Sequence, residues 1–366
     1  MAAGFPTKNN WIAGDVLTAS AMDDLGTTVN YTQYHTPRNV VLNSAFDIWQ
    51  AWSGSSPSLT PFTGLSTADR WFTTFDGTGS TRNVSRQNFT PGTAPVSGQE
   101  YPYYCRYAIT VAGSGATVNQ FYNKIEDVRT FAGQTVTLSF WAKADTANTL
   151  TPSMVQNFGS GGSPSANVTT TGSAINITTS WVRYTQTFAI PSITGKTLGT
   201  TANTSFLQLT FAMPLNATGT FDYFGIQLEK GSYANEYFRN GTNIAAELAS
   251  CQRFAYSLDC STALTNVAMG YNTSTTSATG YLSFPVTMIA KPTLGTYTTY
   301  GGTSYAVIPA SGSVTCSATP TIGLSTPNGT TLVFPVVSGL VAGQGVLLQQ
   351  KNATTGYPLF YFDSGL

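Results

Sequence analysis

From residue 39 onward, apolar side chains recur at every second position in short runs broken by Gly, Ser, Asn and Pro. Val136, Leu138, Phe140 and Ala142 alternate with Thr137, Ser139 and Trp141, which is the period of a strand with one buried face. The same period returns in Val182, Tyr184 and Phe188, in Leu207, Leu209 and Phe211, and in Phe224, Ile226 and Leu228. Many short strands without intervening helices predict two stacked sheets, most simply a jelly-roll β-sandwich, over residues 38–242. A single linker helix is expected within 243–258, where Ile244, Ala245, Leu248, Cys251 and Arg253 precede Phe254 and Tyr256. Strands then resume over 259–366, most clearly at 281–288 and 331–337. Pro285, Pro292, Pro309, Pro320 and Pro327 place the edges and turns of a second, smaller C-terminal β-sandwich. The fold class is all-β.

Residues 1–37 read differently. Leu17, Met22, Leu25 and Val29 recur at helical spacing, with Asp15 or Thr18 able to cap the start and Gly26 weakening the end. One short amphipathic helix with extended flanks cannot bury its own stripe. It is expected to lie against the same assembly or against a docking partner, and periodicity alone leaves both open.

Charge changes the picture. Between residues 261 and 366 only Lys291, Lys351 and Asp363 carry charge, where an average stretch of this length holds roughly 26 such residues. Over the whole chain sixteen basic residues balance sixteen acidic ones, so the footprint of a protein that tracks nucleic acid or an anionic membrane is missing. No run of apolar residues is long enough to span a bilayer, and the start lacks the pattern of a secretory signal; synthesis and retention in a cytoplasm are expected. Cys105, Cys251, Cys260 and Cys316 are widely spaced, with His35 the only histidine, so neither a zinc site nor a disulfide framework is indicated. Inert core thiols are expected.

Candidate chemistry is sparse. Nucleophilic triads fail because His35 lies in the tether and no Gly-x-Ser-x-Gly elbow exists. Gly195-Lys196-Thr197 lacks the glycine five positions earlier that a phosphate loop requires, Ile190 standing there. Glu100, Glu126, Asp127 and Glu229 supply carboxylates for glycan cleavage only if two of them face each other across a groove; no enzymatic activity is expected. Neutral hydroxyl and amide surface with aromatic faces is suited to sugars. Two tyrosine clusters are candidates for glycan binding: Tyr101, Tyr103 and Tyr104 beside Pro102, and Tyr297, Tyr300 and Tyr305 near Gly301-Gly302. Each is equally readable as a subunit contact.

Several segments keep a shared order: residues 39–52 (NVVLNSAFDIWQAW), 68–71 (ADRW), 133–145 (GQTVTLSFWAKAD), 157–163 (NFGSGGS), 195–199 (GKTLG), 224–231 (FGIQLEKG) and 251–254 (CQRF). Together they resemble a module of tail fibres and other virion appendage proteins of tailed bacteriophages. The opening residues 4–8 (GFPTK) and 14–19 (GDVLTA) are similar to the attachment end of such fibres, which assigns Leu17, Met22, Leu25 and Val29 to virion attachment. The first sandwich is also similar, more remotely, to carbohydrate-binding jelly rolls. That resemblance implies a structural calcium held near Asp47 and Asp222; read from the residues alone, the same aspartates cap turns or pair with arginine. The expectation is a structural virion protein, a short tail fibre or minor tail protein. Its implied partners are other tail or neck proteins, itself as a homotrimer, and host surface glycan, with no nucleic acid and no membrane insertion. It would be assembled in the host cytoplasm and located in the virion. A capsid or neck decoration protein and a glycan depolymerase are the alternatives.

Overall fold

The computed structural model describes residues 39–51, 59–241, 243–258, 264–295, 302–351 and 360–365. The expected attachment helix with Leu17, Met22, Leu25 and Val29 lies outside the described residues, as do His35, Cys260, Tyr297 and Tyr300.

Strands fill the first sandwich in chain order: β1 (Phe62–Ser66), β2 (Trp71–Phe75), β3 (Thr81–Asn88), β4 (Tyr103–Val111), β5 (Asn119–Glu126), β6 (Thr135–Ala144), β7 (Asn148–Asn157), β8 (Val168–Thr171), β9 (Ile175–Ile177), β10 (Val182–Ala189), β11 (Phe206–Ala212) and β12 (Gly219–Lys230). One sheet runs β1-β2-β5-β11-β7-β8, with β9 also on β7, and the facing sheet runs β10-β6-β12-β4-β3. Their inner faces close on one another through aromatic side chains. Phe140 of β6 meets Phe211 of β11 edge-on at 4.9 Å, and Phe121 of β5 lies 5.6 Å from Tyr223 of β12. Trp71, fully buried, stacks on Phe121 at 4.9 Å. The predicted rows Val136, Leu138, Phe140, Ala142 and Leu207, Leu209, Phe211 are all in this core. Two rows break. Val182 is exposed because β10 is the edge of its sheet, and Phe224 leaves the side of Ile226 and Leu228 because β12 shifts register between Phe224 and Gln227.

A helix, α1 (Ile244–Gln252), follows, shorter than the predicted segment. Asn243 caps it, its side chain accepting from Ala246 N at 2.9 Å. The helix is pinned to the jelly roll: Glu247 Oε1 accepts from Asn43 N, and Arg253, just past its end, makes a two-pronged pair with Glu126 at 2.7 and 3.2 Å.

The distal part contains β13 (Ala255–Leu258), β14 (Asn266–Asn272), β15 (Ser277–Ser283), β16 (Thr293–Leu294), β17 (Tyr305–Ile308), β18 (Val314–Thr315), β19 (Thr321–Thr326), β20 (Gly329–Pro335), β21 (Gly345–Gln350) and β22 (Phe360–Asp363). A seven-stranded sheet runs β18-β17-β21-β14-β15-β20-β19, and a three-stranded sheet runs β13-β22-β16. Strand β15 starts earlier than the sequence pattern predicts and stops two residues short of Pro285, whose missing N–H cannot serve a ladder. Cys105, Cys251 and Cys316 are free and buried, and burial raises each thiol, that of Cys316 to about 12. No helix among the described residues is long and apolar enough to cross a membrane.

Candidate glycan-binding face

The outer face of the five-stranded sheet gathers charged and aromatic side chains. Residues paired across strands share a face, and the pairings Lys143↔Asp222, Asp222↔Arg106 and Arg106↔Ser85 place one polar row across β6, β12, β4 and β3. Trp181, immediately before β10, continues this row beside Lys143, whose Nζ lies 5.2 Å from the indole. The neighbouring row holds Arg183, Trp141, Phe224, Tyr104 and Gln87.

Most of the aromatic side chains on this face are covered. Trp141, Phe224 and Tyr237 form a cluster with Phe89, Val96 and Tyr101, roofed by the loop between β3 and β4 and by the chain after β12. Tyr104 and Trp181 remain half-buried at its border. Their rings meet edge to face at 5.3 Å, and both lean on Phe89, at 4.8 and 5.5 Å. Cations flank them: Lys143 Nζ is 5.7 Å and the Arg106 guanidinium 6.0 Å from the Tyr104 ring. Asp222, itself buried, accepts from Arg106 Nε and Nη2, both at 2.8 Å, with Lys143 at 3.6 Å. The hydrogen bond to Asp222 raises the Arg106 pKa, and burial raises that of the Tyr104 hydroxyl. Both groups are therefore locked in the forms that donate hydrogen bonds. Two aromatic faces beside a fixed fork of donors and acceptors can stack on the C–H face of a pyranose while bonding its hydroxyls.

The sequence candidates are distributed unevenly around this face. Tyr103 and Tyr104 are consecutive on a strand and point to opposite sides; only Tyr104 belongs to the platform. Tyr103 lies under the Arg86 guanidinium at 4.2 Å and, with Tyr101, lines an open groove of about 670 Å³ between residues 88–92 and 100–103. Tyr101 is largely withdrawn into the cluster, 4.9 Å from Phe224, with its hydroxyl donating to Gln99. Tyr305 is a correction: at 0% exposure it packs in the distal core between Phe334 and Phe360, so it cannot meet a ligand. Its neighbours in the proposed cluster, Tyr297 and Tyr300, lie outside the described residues.

Asp47 and Asp222 are both engaged with cations. Asp47 pairs with Arg239 at 3.0 Å and Asp222 with Arg106 and Lys143. A calcium ion at either carboxylate would face positive side chains already in place, and no third carboxylate, histidine or cysteine completes a cluster among the described residues. The donor set fits ion pairing and does not fit calcium. The carboxylates considered for glycan cleavage are likewise committed. Glu126 pairs with Arg253, Asp127 with Arg129, and Glu229 is buried, accepting from Asn235 N and Gln227 Nε2. Glu100 accepts from Gly92 N.

Comparison with known proteins bears on the same region. Residues 75–205 match the family model of a carbohydrate binding domain. This span includes Tyr104, Arg106, Lys143 and Trp181. No curated protein matches the chain by sequence. Among solved structures, the enzymatically active domain of bacteriophage CBA120 tailspike protein 4 is similar at 15% identity and a TM-score of 0.32, over 53% of this chain and 21% of that one. The chain thus spans about a fifth of that domain's length. A CBM4 structure is similar at 18% identity and a TM-score of 0.30, over 52% of this chain and 99% of the other. The N-terminal cellulose-binding domain of Cellulomonas fimi β-1,4-glucanase C shows 18% identity and a TM-score of 0.28, over 38% and 87% of the two chains. The fold is a β-sandwich with a carbohydrate-binding-domain match.

Proposed function

We propose that this chain is a non-enzymatic glycan-binding protein of a tailed-phage virion appendage, a short tail fibre or minor tail protein, that grips a host surface polysaccharide with the outer face of its five-stranded sheet. The observation that carries the glycan reading is the row Trp181, Lys143, Asp222, Arg106 bordered by Tyr104, all of which except Asp222 fall inside the stretch matched as a carbohydrate binding domain. The virion reading rests on the ordered segments between residues 39 and 254 and on the attachment-like opening. In this reading residues 1–37 attach to other tail or neck proteins, and the protein works as a homotrimer in the virion after assembly in the host cytoplasm. Several weak sites on one particle then act together, since linkage raises effective concentration.

The test is glycan-array or affinity-electrophoresis binding to host surface polysaccharide. Trp181→Ala and Tyr104→Ala should each weaken binding by roughly tenfold or more, as loss of an aromatic anchor does, with circular dichroism unchanged. Undiminished binding by both variants overturns the assignment of the face. Shortened polysaccharide after incubation with the purified protein overturns the non-enzymatic reading.

A further inference from the structure

The outer face of the distal seven-stranded sheet exposes large apolar side chains among neutral hydroxyls, with charge only at its β18 end, where Lys351 donates to Thr315 at 2.8 Å. Pairings Met269↔Leu347, Tyr281↔Thr331, Tyr271↔Thr279 and Thr279↔Val333 put these residues on the side opposite the core. Ala268, Gly270, Ala278, Leu332 and Leu348 point the other way, towards the distal core. Met269 is 78% exposed and Leu324 of the edge strand β19 is 84% exposed; Tyr271 and Tyr281 are exposed as well. Side chains of this kind dispersed singly need no explanation, but gathered on one sheet they mark an interaction surface. Met and Tyr are also among the residues that interfaces enrich.

We infer that this face is where copies of the chain meet. The inference rests on the homo-oligomeric reading above and names its surface. Charge is the first argument. None of β14, β15, β19, β20 or β21 contains a charged residue, so turning these strands toward a three-fold axis, where they meet the same strands of two sister copies, leaves none of their own side chains as a desolvated, unpaired ion. The glycan face of the first sandwich, with Arg106, Lys143 and Asp222, has no such freedom. Size is the second argument. Seven strands about 4.8 Å apart and roughly six residues long present a flat area of about 600 Å². Side-chain relief brings this near the roughly 800 Å² per partner of a stable interface. The edges agree: β18 is two residues long and β19 is kinked by a register shift between Ile322 and Ser325, so edge-to-edge pairing is poorly supported and the broad face is the surface left to associate.

The experiment uses the full chain and compares it with a Met269→Lys/Leu324→Lys double variant, by sedimentation equilibrium and by glycan binding of dilute, monomeric protein. The wild type should be oligomeric and the variant monomeric, its self-association weakened by roughly a hundredfold, about tenfold for each charge placed in an apolar contact. At dilutions where both proteins are monomeric, thermal unfolding and per-protomer glycan affinity should be unchanged, because both positions are solvent-exposed and lie on the other sandwich. A monomeric wild type, or a variant that assembles as well as the wild type, overturns the inference. Loss of per-protomer glycan affinity in the variant with its mass unchanged also overturns it, by making the face a sugar site. Failure of the glycan reading is seen separately, in Trp181→Ala.

Discussion

Two buried carboxylates set how this protein responds to pH. Glu247 is fully enclosed on α1: Oε1 accepts from Asn43 N at 2.9 Å, while Oε2 has no hydrogen-bond partner. Burial pushes its pKa up to about 7 despite the attraction of Arg239, and the nearby Asp47 adds to the rise. Asp69 accepts from Gln50 N at 2.6 Å and from Gln50 Nε2, yet burial holds it at about 6. Both acids bind protons more tightly in the folded chain than in the unfolded one. The native state therefore carries the extra protons from about pH 4 to 7, and stability declines as pH rises through that window. Shifts of this size correspond to about 3 kcal/mol each. Replacing Glu247 by Gln removes one of these ionisations while keeping the acceptor for Asn43. Glu247→Gln should raise the melting temperature at pH 8 and leave it close to wild type at pH 4. Parallel stability curves for the two proteins across this range would show that the carboxylate is not strained by its burial.

At the scale of elements, the bulge in β12 decides which aromatic side chains serve the core and which serve the surface. Gly225 takes φ +59°, and a Cβ there would lie 2.8 Å from Trp141 Cε3. The extra residue lets Phe224 face outward beside Trp141 while Ile226 and Leu228 stay in the core. Gly225→Ala combines an unfavourable backbone conformation with a clash into a packed indole. It should cost about 1–3 kcal/mol and shift Trp141 fluorescence, as chemical denaturation with fluorescence detection reports; an unchanged midpoint would mean that the bulge tolerates a side chain. The same bulge shows why alternation was legible only in part. Period-two runs such as Val136 to Ala142 identify core strands because burial selects every second residue, but an inserted residue reverses the phase with no signature beyond a glycine. The proposed glycan face is less legible in the sequence. Arg106, Lys143, Trp181 and Asp222 are spread across more than a hundred residues and meet only through antiparallel pairing of four strands. A usable signal existed in the rarity of charge: in so neutral a chain, Lys143 in a predicted strand alternating with Trp141 marks an outward row. Tyr101, Tyr103 and Tyr104 read as one patch in the sequence, whereas β4 sends Tyr103 and Tyr104 to opposite sides and Tyr101 precedes the strand.

The two sandwiches are joined by more than a tether. In β22, Phe360 and Phe362 enter the distal core, while Tyr361 between them enters the core of the jelly roll. Ala255 of the adjacent β13 joins the jelly-roll core and Tyr256 packs on the distal one. The three-stranded sheet is therefore a shared layer, buried on both sides by the alternation of its own strands. Polar contacts reinforce it: Gln50 Nε2 donates to Ala255 O at 2.8 Å, and the Arg70 guanidinium lies 3.7 Å over the Phe254 ring. Residues 39–366 cluster as one compact unit. Domains connected by small polar interfaces unfold separately, but a common apolar layer couples their melting. Calorimetry should show one cooperative transition for this unit. Tyr361→Ala, which empties a large side chain from the first core by way of a strand that belongs to the second, should lower that single transition by about 3–5 kcal/mol. Two resolved transitions in the wild type, or a Tyr361→Ala scan in which only one of two transitions moves, would mean that the layer seats the sandwiches together without coupling their stability.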